Sequence, residues 1–300
     1  MRDRENLRST RRAAFGKFTT FPMNKSLLLL SFALFSAASL CAQSSQLVKK
    51  WETEATLKTP ESVLFDAAGK VLYVSNIDGK EPWTKDNAGS IGKVGLDGKV
   101  IAAEWVKGLQ APKGMALHGG KLYVADIDRM VVIDVAKGAI AETIPIEGAQ
   151  QLNDVTVNHK TGVVYVSDMK GLRIHSITKG KPAVFIEGGF KRPNGVLAHG
   201  DDFYVADSGA LIKFDKNKNR TTIVEGMDAS TDGIEHVKGD EFIVSCWAGA
   251  VYHVKGNTKT QILDTKEKKI NSADIGYDAK NRIVYVPTFF VNTVVAYELK

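Results

Sequence analysis

The sequence predicts an all-β fold, a six-bladed β-propeller whose last blade is completed by a strand from the N-terminal side. Three observations predict it. One pattern recurs six times along residues 43–300, its period is near 40 residues, and each copy has room for four strands. In each copy a polar residue opens an apolar stretch, a turn follows, and an aromatic-Val strand comes next. The first copy pairs Pro60-Glu61-Ser62-Val63 with Leu72-Tyr73-Val74. The second pairs Pro112-Lys113-Gly114-Met115 with Leu122-Tyr123-Val124, and the third pairs Leu152-Asn153-Asp154-Val155 with Val164-Tyr165-Val166. The fourth pairs Pro193-Asn194-Gly195-Val196 with Phe203-Tyr204-Val205. The fifth pairs Thr231-Asp232-Gly233-Ile234 with Phe242-Ile243-Val244, and the sixth pairs Ser272-Ala273-Asp274-Ile275 with Val284-Tyr285-Val286. The polar position and the strand aromatic are always 10 or 12 residues apart. The turns between them, such as Gly119-Gly120 and Lys160-Thr161-Gly162, are hairpin signals. Two more strand-like runs follow each pair, for example residues 130–135 and 140–144.

The ends of the repeat array fit a closed ring. Only residues 293–299 follow the sixth aromatic strand, and residues 47–54 supply the outer strand that this blade lacks. Closure of this kind leaves no free sheet edge between first and last blade. The longest interruption, residues 77–89 with Trp83 among charged residues, reads as a loop forming a lip over the axis. No linker or second domain is visible within residues 43–300.

Hydrophobic residues make up 44% and charged residues 25% of the chain, which excludes wholesale disorder. The formal charge of +6 is mostly a leader effect: residues 1–42 hold seven of the 40 bases and two of the 34 acids, leaving 33 against 32. That balance gives no support to a nucleic-acid partner. Met23-Asn24-Lys25 precedes a 14-residue apolar run from 27 to 40, too short to span a bilayer and suited to a signal-peptide core. Translation is therefore expected to start at Met23, with residues 1–22 an upstream extension. Cleavage after Leu40-Cys41-Ala42 leaves Gln43 first, and the protein is exported to the periplasm or the extracellular space. A lipoprotein anchored at Cys41 is disfavoured by the bulky Leu40 before it. With Cys41 removed, Cys246 is alone and no intrachain disulfide can form.

In a propeller the innermost strand of every blade lines a central channel, so equivalent positions form a ring. Here the ring is Glu61, Lys113, Asn153, Asn194, Asp232 and Ala273. Two carboxylates and two amide oxygens from four blades suit a hard divalent cation, Ca²⁺ above all, with water completing its shell. No His or Cys occupies the row, which disfavours zinc. Asn-Gly and Asp-Gly are also turn dipeptides, and a polar channel can hold water alone. The shared register of four oxygen-bearing side chains favours the metal. Lys113 in the same row either binds a substrate carboxylate or phosphate or points away. Asp154 and Asp274 directly follow ring positions and stand either behind the ligands or at the channel mouth, where substrate would meet them.

The pattern resembles the senescence-marker-protein/gluconolactonase family, which includes regucalcin, gluconolactonases and, more distantly, diisopropyl fluorophosphatase. The resemblance covers most of residues 47–300 and rests on Thr59-Pro60-Glu61-Ser62, Asn153-Asp154, Arg192-Pro193-Asn194-Gly195 and Thr231-Asp232-Gly233. It implies a cation held by Glu61, Asn153, Asn194 and Asp232 that polarises a lactone carbonyl or phosphoryl oxygen, with Asp232 as general base or nucleophile. The sugar-lactonase members carry an Arg two residues before the third-blade Asn. Gln151 stands there, which argues against aldonolactones and for less polar lactones or esters. The expected partner is thus a small-molecule lactone or ester. The competing reading is a non-catalytic propeller that binds a peptide, glycan or protein, with the ion purely structural.

Other residues carry less. Asp126, Asp168 and Asp207, with Asn76, end the aromatic strands and are expected to accept backbone N–H bonds that fix a bend. The six His form no spaced cluster in the sequence. Trp247 and Phe289-Phe290 are candidates for the pocket mouth. No nucleophile elbow, P-loop or dinucleotide fingerprint occurs in a fitting context.

Overall fold

Burial in each repeat falls off from the inside outward, as a radial array of sheets requires. In a computed structural model that describes residues 46–78 and 81–300, the strand Val71–Asn76 is buried almost throughout, whereas Ala139–Pro145 buries one side chain. The expectations about Met23, Cys41, Gln43 and export lie outside the described residues. After β1 (Leu47–Glu52), the first blade is β2 (Pro60–Asp66), β3 (Val71–Asn76), β4 (Gly89–Gly95) and β5 (Val100–Leu109). The second is β6 (Pro112–His118), β7 (Lys121–Asp126), β8 (Arg129–Asp134) and β9 (Ala139–Pro145). The third is β10 (Leu152–Asn158), β11 (Val163–Asp168), β12 (Arg173–Thr178) and β13 (Lys181–Glu187). The fourth is β14 (Pro193–His199), β15 (Asp202–Asp207), β16 (Ala210–Phe214) and β17 (Arg220–Val224). The fifth is β18 (Thr231–Lys238), β19 (Glu241–Cys246), β20 (Ala250–Lys255) and β21 (Thr258–Asp264). The sixth takes β22 (Gly276–Asp278), β23 (Ile283–Pro287) and β24 (Val294–Leu299), and β1 is its outer strand. This is the six-bladed β-propeller expected from the repeat.

Two contacts close the ring. β1 pairs antiparallel with β24 from Leu47↔Leu299 to Glu52↔Val295. The strand stops two residues short of the expected 54, where Thr53 instead exchanges hydrogen bonds with Val294. On the inside, Asp274 N–H donates to the Glu61 carbonyl at 2.9 Å and Val63 N–H donates to the Asp274 carbonyl at 3.2 Å. Apolar side chains pack between neighbouring blades. Ala125, Met130 and Val132 of the second, for example, meet Val155, Val164 and Val166 of the third. Cys246 is a buried free thiol in the fifth blade. Among the described residues no helix is long and apolar enough to cross a membrane.

The inner strands share one irregularity that aims the ring. The register between first and second strands shifts at Pro60/Ser62, Pro112/Met115, Leu152/Val155, Pro193/Val196 and Thr231/Ile234. Each shift is a bulge at the ring position, and a bulge turns its side chain out of the ladder. Serines of the second strands fill three bulges: Ser75, Ser167 and Ser245 hydroxyls accept the N–H groups of Ser62, Asp154 and Gly233 at 2.9–3.0 Å.

Candidate functional site

Four of the ring side chains, Glu61, Lys113, Asn153 and Asn194, are set by a clamp as well as a bulge. The Asp126 carboxylate accepts the N–H groups of Gln110 and Ala111, just ahead of Lys113. Asp168 accepts those of Gln150 and Gln151 ahead of Asn153, and Asp207 those of Lys191 and Arg192 ahead of Asn194. The three recurring aspartates thus have the structural role their position suggested. Asn76 does the same for Lys58 N–H at 3.2 Å. The glycines after Asn194 and Asp232 are not turn residues. A Cβ on Gly195 would overlap the Asp232 carbonyl oxygen, and one on Gly233 the Asp274 carboxylate, so Gly lets adjacent blades approach at the axis.

Glu61, Asn153, Asn194 and Asp232 line the wall of one cavity of about 330 Å³, which Lys113 also lines. All five are buried. Glu61 Oε2, Asn153 Oδ1 and Asn194 Oδ1 are buried without a hydrogen-bond partner. Asn194 Nδ2 donates to Asp232 Oδ1 at 3.1 Å, which fixes the amide with its oxygen unbonded. Buried acceptors are rarely left unbonded, and three of them on residues that line one cavity suit a cation site. Burial raises Glu61 from 4.5 to about 8, opposed by the Lys113 charge and aided by Asp274. Burial also holds Asp232 well above the usual carboxylate range, reinforced by Glu61 and Asp274. A divalent cation between them would reverse both effects. Among the described residues no group of three or more His, Cys, Asp or Glu is placed to hold a metal. The ring differs from such a group in drawing half its oxygens from amides, and this donor chemistry fits a hard cation.

Lys113 is tied into the roof. Its Nζ donates to the Pro82 carbonyl at 2.7 Å and the Ala111 carbonyl at 2.9 Å, and it sits 4.5 Å from the Trp83 ring centroid. Burial lowers it to about 8, against the pull of Glu61. The lip expected around Trp83 is therefore pinned over the cavity from below. The remaining walls are Met169, Arg192, Ser230, Trp247, Phe289 and Phe290. Phe289 adopts φ 52°, a strained value for a bulky residue, and it packs edge-on to both Trp247 (5.6 Å) and Phe290 (4.7 Å). Phe290 is 67% exposed at the rim.

Three expected substrate contacts lie elsewhere. Gln151 does not line this cavity; its N–H is held by Asp168 and its carbonyl by Met169 N–H. Asp154 and Asp274 line a second cavity of about 480 Å³ farther along the channel, because the residue after each ring position takes the opposite direction. Asp154 accepts Val155 and Val196 N–H groups, and Asp274 accepts the Ser62 hydroxyl at 2.5 Å. Burial raises Asp274 to about 7 and Asp154 well above its ordinary value. Arg192, quoted in the motif but given no role by the sequence, is on the wall. It stands two residues before Asn194, the register of Gln151 one blade on, so that register was the available signal. The histidines also pair across blades: His118–His159 rings are 5.7 Å apart and His199–His236 stack at 3.8 Å.

No protein-family model matches the sequence, and no curated protein matches it. Solved structures do. A gluconolactonase from Xanthomonas campestris is similar with a TM-score of 0.65 at 14% identity, over 86% of this chain and 90% of that one. A streptogramin B lyase has a TM-score of 0.62 at 9% identity, over 85% and 97% of the two chains. A chain of a nidogen–laminin complex has a TM-score of 0.62 at 17% identity, over 73% and 84%. At these identities the likeness is one of fold. The chain resembles gluconolactonase propellers, as the motifs implied, and it shares that fold with proteins of other kinds.

Proposed function

We propose that this chain is an exported, divalent-cation-dependent hydrolase of a lactone or related ester. The observation that carries the reading is the set of three unbonded buried oxygens beside Asp232 in a cavity with room for a small molecule. Glu61, Asn153, Asn194 and Asp232 would hold the cation, Ca²⁺ by its preference for oxygen. When bound, the ion supplies Lewis acidity toward a carbonyl oxygen.

The remaining chemistry belongs to the side chains. Asn194 holds one Asp232 oxygen, so the carboxylate keeps a fixed orientation toward the substrate. Asp232 then takes a proton from attacking water, or attacks the acyl carbon itself. The roof formed by Pro82 and Trp83 on Lys113 limits water near the acyl carbon. Export is supported by the apolar run at 27–40.

A panel of lactones and esters, with and without chelator, tests the reading. Aryl or alkyl lactones should be hydrolysed with Ca²⁺, lose turnover on chelation and regain it on readdition. Turnover indifferent to chelator would overturn it. Calcium binding without turnover of any member would leave the structural-ion binding module.

A further inference from the structure

Arg192 stands apart from the other arginines of the described chain. Arg129 lies 2.8 Å from the Asp126 carboxylate, and Arg173 donates to the Gly171 carbonyl and lies 3.4 Å from Glu187. Arg220 donates to the Gly189 carbonyl and Arg282 to that of Leu299. Arg192 alone among them has no oxygen acceptor. Its Nε faces the Met169 sulfur at 3.0 Å, a weak acceptor, its terminal amines make no hydrogen bond among the described residues, and its charge acts on Asp232 across the cavity wall. It is exposed, yet its backbone is held by the Asp207 carboxylate, so the guanidinium is presented from a fixed point on the cavity wall.

The cavity's charges sharpen the point. Glu61 and Asp232 match the two charges of a divalent cation. Lys113 already spends two of its donors on carbonyls. Arg192 is then the wall's cation with free donors, and its planar fork fits a carboxylate. Around it, Trp83, Trp247, Phe289 and Phe290 offer rings, against which the hydroxyls of a sugar would lose hydrogen bonds.

We propose that Arg192 is a specificity-determining residue, and that the cavity takes substrates with a carboxylate on an apolar, aromatic body. The identity of the reacting bond rests on the hydrolase reading; the anion preference rests on the wall. Two tryptophans of that wall, Trp83 and Trp247, allow binding to be followed by fluorescence without turnover. The probes are 3-phenylpropionate and its primary amide, titrated into the purified protein in EDTA and again in Ca²⁺. The acid should bind about tenfold or more tightly than the amide, a ratio that R192Q abolishes with the amide changed by less than about twofold. R192K should keep part of the preference. Equal binding of acid and amide by the unmodified protein would overturn the proposal, as would equal loss of both probes in R192Q. A preference that appears only with Ca²⁺ and survives in R192Q would also overturn it, since the anion would then be reading the ion. Discrimination as described without hydrolysis of any lactone would remove the hydrolase reading and leave the anion site standing.

Discussion

Glu61→Gln tests whether the ring is built for a cation and strained without one. The Glu61 carboxyl is buried with one oxygen unbonded, and burial moves it from 4.5 to about 8. Its folded value lies above the unfolded one, so the folded chain keeps a proton that the unfolded chain releases. The resulting penalty on the cation-free protein is absent below about 4.5, grows with pH, and is complete above about 8. At pH 7 the interval from 4.5 corresponds to about 3 kcal/mol, at ~1.4 kcal/mol per pH unit. Gln removes that penalty but also removes the carboxylate charge that forms beside Lys113 as the pH reaches about 8, so the net gain at pH 8 should be about 1–2 kcal/mol. Calcium inverts the order, because a ligand at a hundred times its Kd adds ~2.7 kcal/mol to the form that binds it. Thermal melts at pH 5 and pH 8, in EDTA and in Ca²⁺, read both effects. In EDTA at pH 8 the variant should melt above the unmodified protein, the gap closing at pH 5. With Ca²⁺ the unmodified protein should gain far more than the variant. A variant that melts lower in EDTA at pH 8 would refute the reasoning.

Asp232→Asn should abolish lactone turnover while circular dichroism stays native; retained turnover excludes Asp232 as base or nucleophile. Asp207→Ala frees the Lys191 and Arg192 N–H groups and should cost about 1–3 kcal/mol, with weaker Ca²⁺ binding through a displaced Asn194; unchanged calorimetric affinity would show that the clamp does not position the ring. Gluconolactone should be a poor substrate beside apolar lactones, and efficient hydrolysis would contradict both the Gln151 inference and the aromatic wall. Expressed with its leader in a bacterium, the protein should be recovered outside the cytoplasm with Gln43 first; an intact Met1 or Met23 would refute export.

The blades and ring were legible because a propeller converts a period along the chain into convergence at an axis. Glu61, Asn153, Asn194 and Asp232 are 92, 41 and 38 residues apart in succession and meet at one cavity because each opens an inner strand at the same bulge. Features decided by neighbouring blades were not legible. Asn194-Gly195 looks like a turn until Asp232 is seen passing against Gly195. Asp154 and Asp274 follow ring positions, but strand alternation sends them along the channel, where they meet Val196 and Ser62 of other blades. The histidine pairs arise because adjacent hairpins of the inner strands lie side by side, a proximity that no spacing in sequence reveals. Gln151 drew attention as a missing Arg, while Arg192 supplies a guanidinium at the same register of the next blade.

The most direct test of the account is a crystal structure of the protein grown with Ca²⁺ at pH 8. One ion should sit among side-chain oxygens of Glu61, Asn153, Asn194 and Asp232, open toward the cavity walled by Trp83, Arg192 and Phe290. Density for water alone among these four residues, or an ion enclosed by protein on every side, would contradict it.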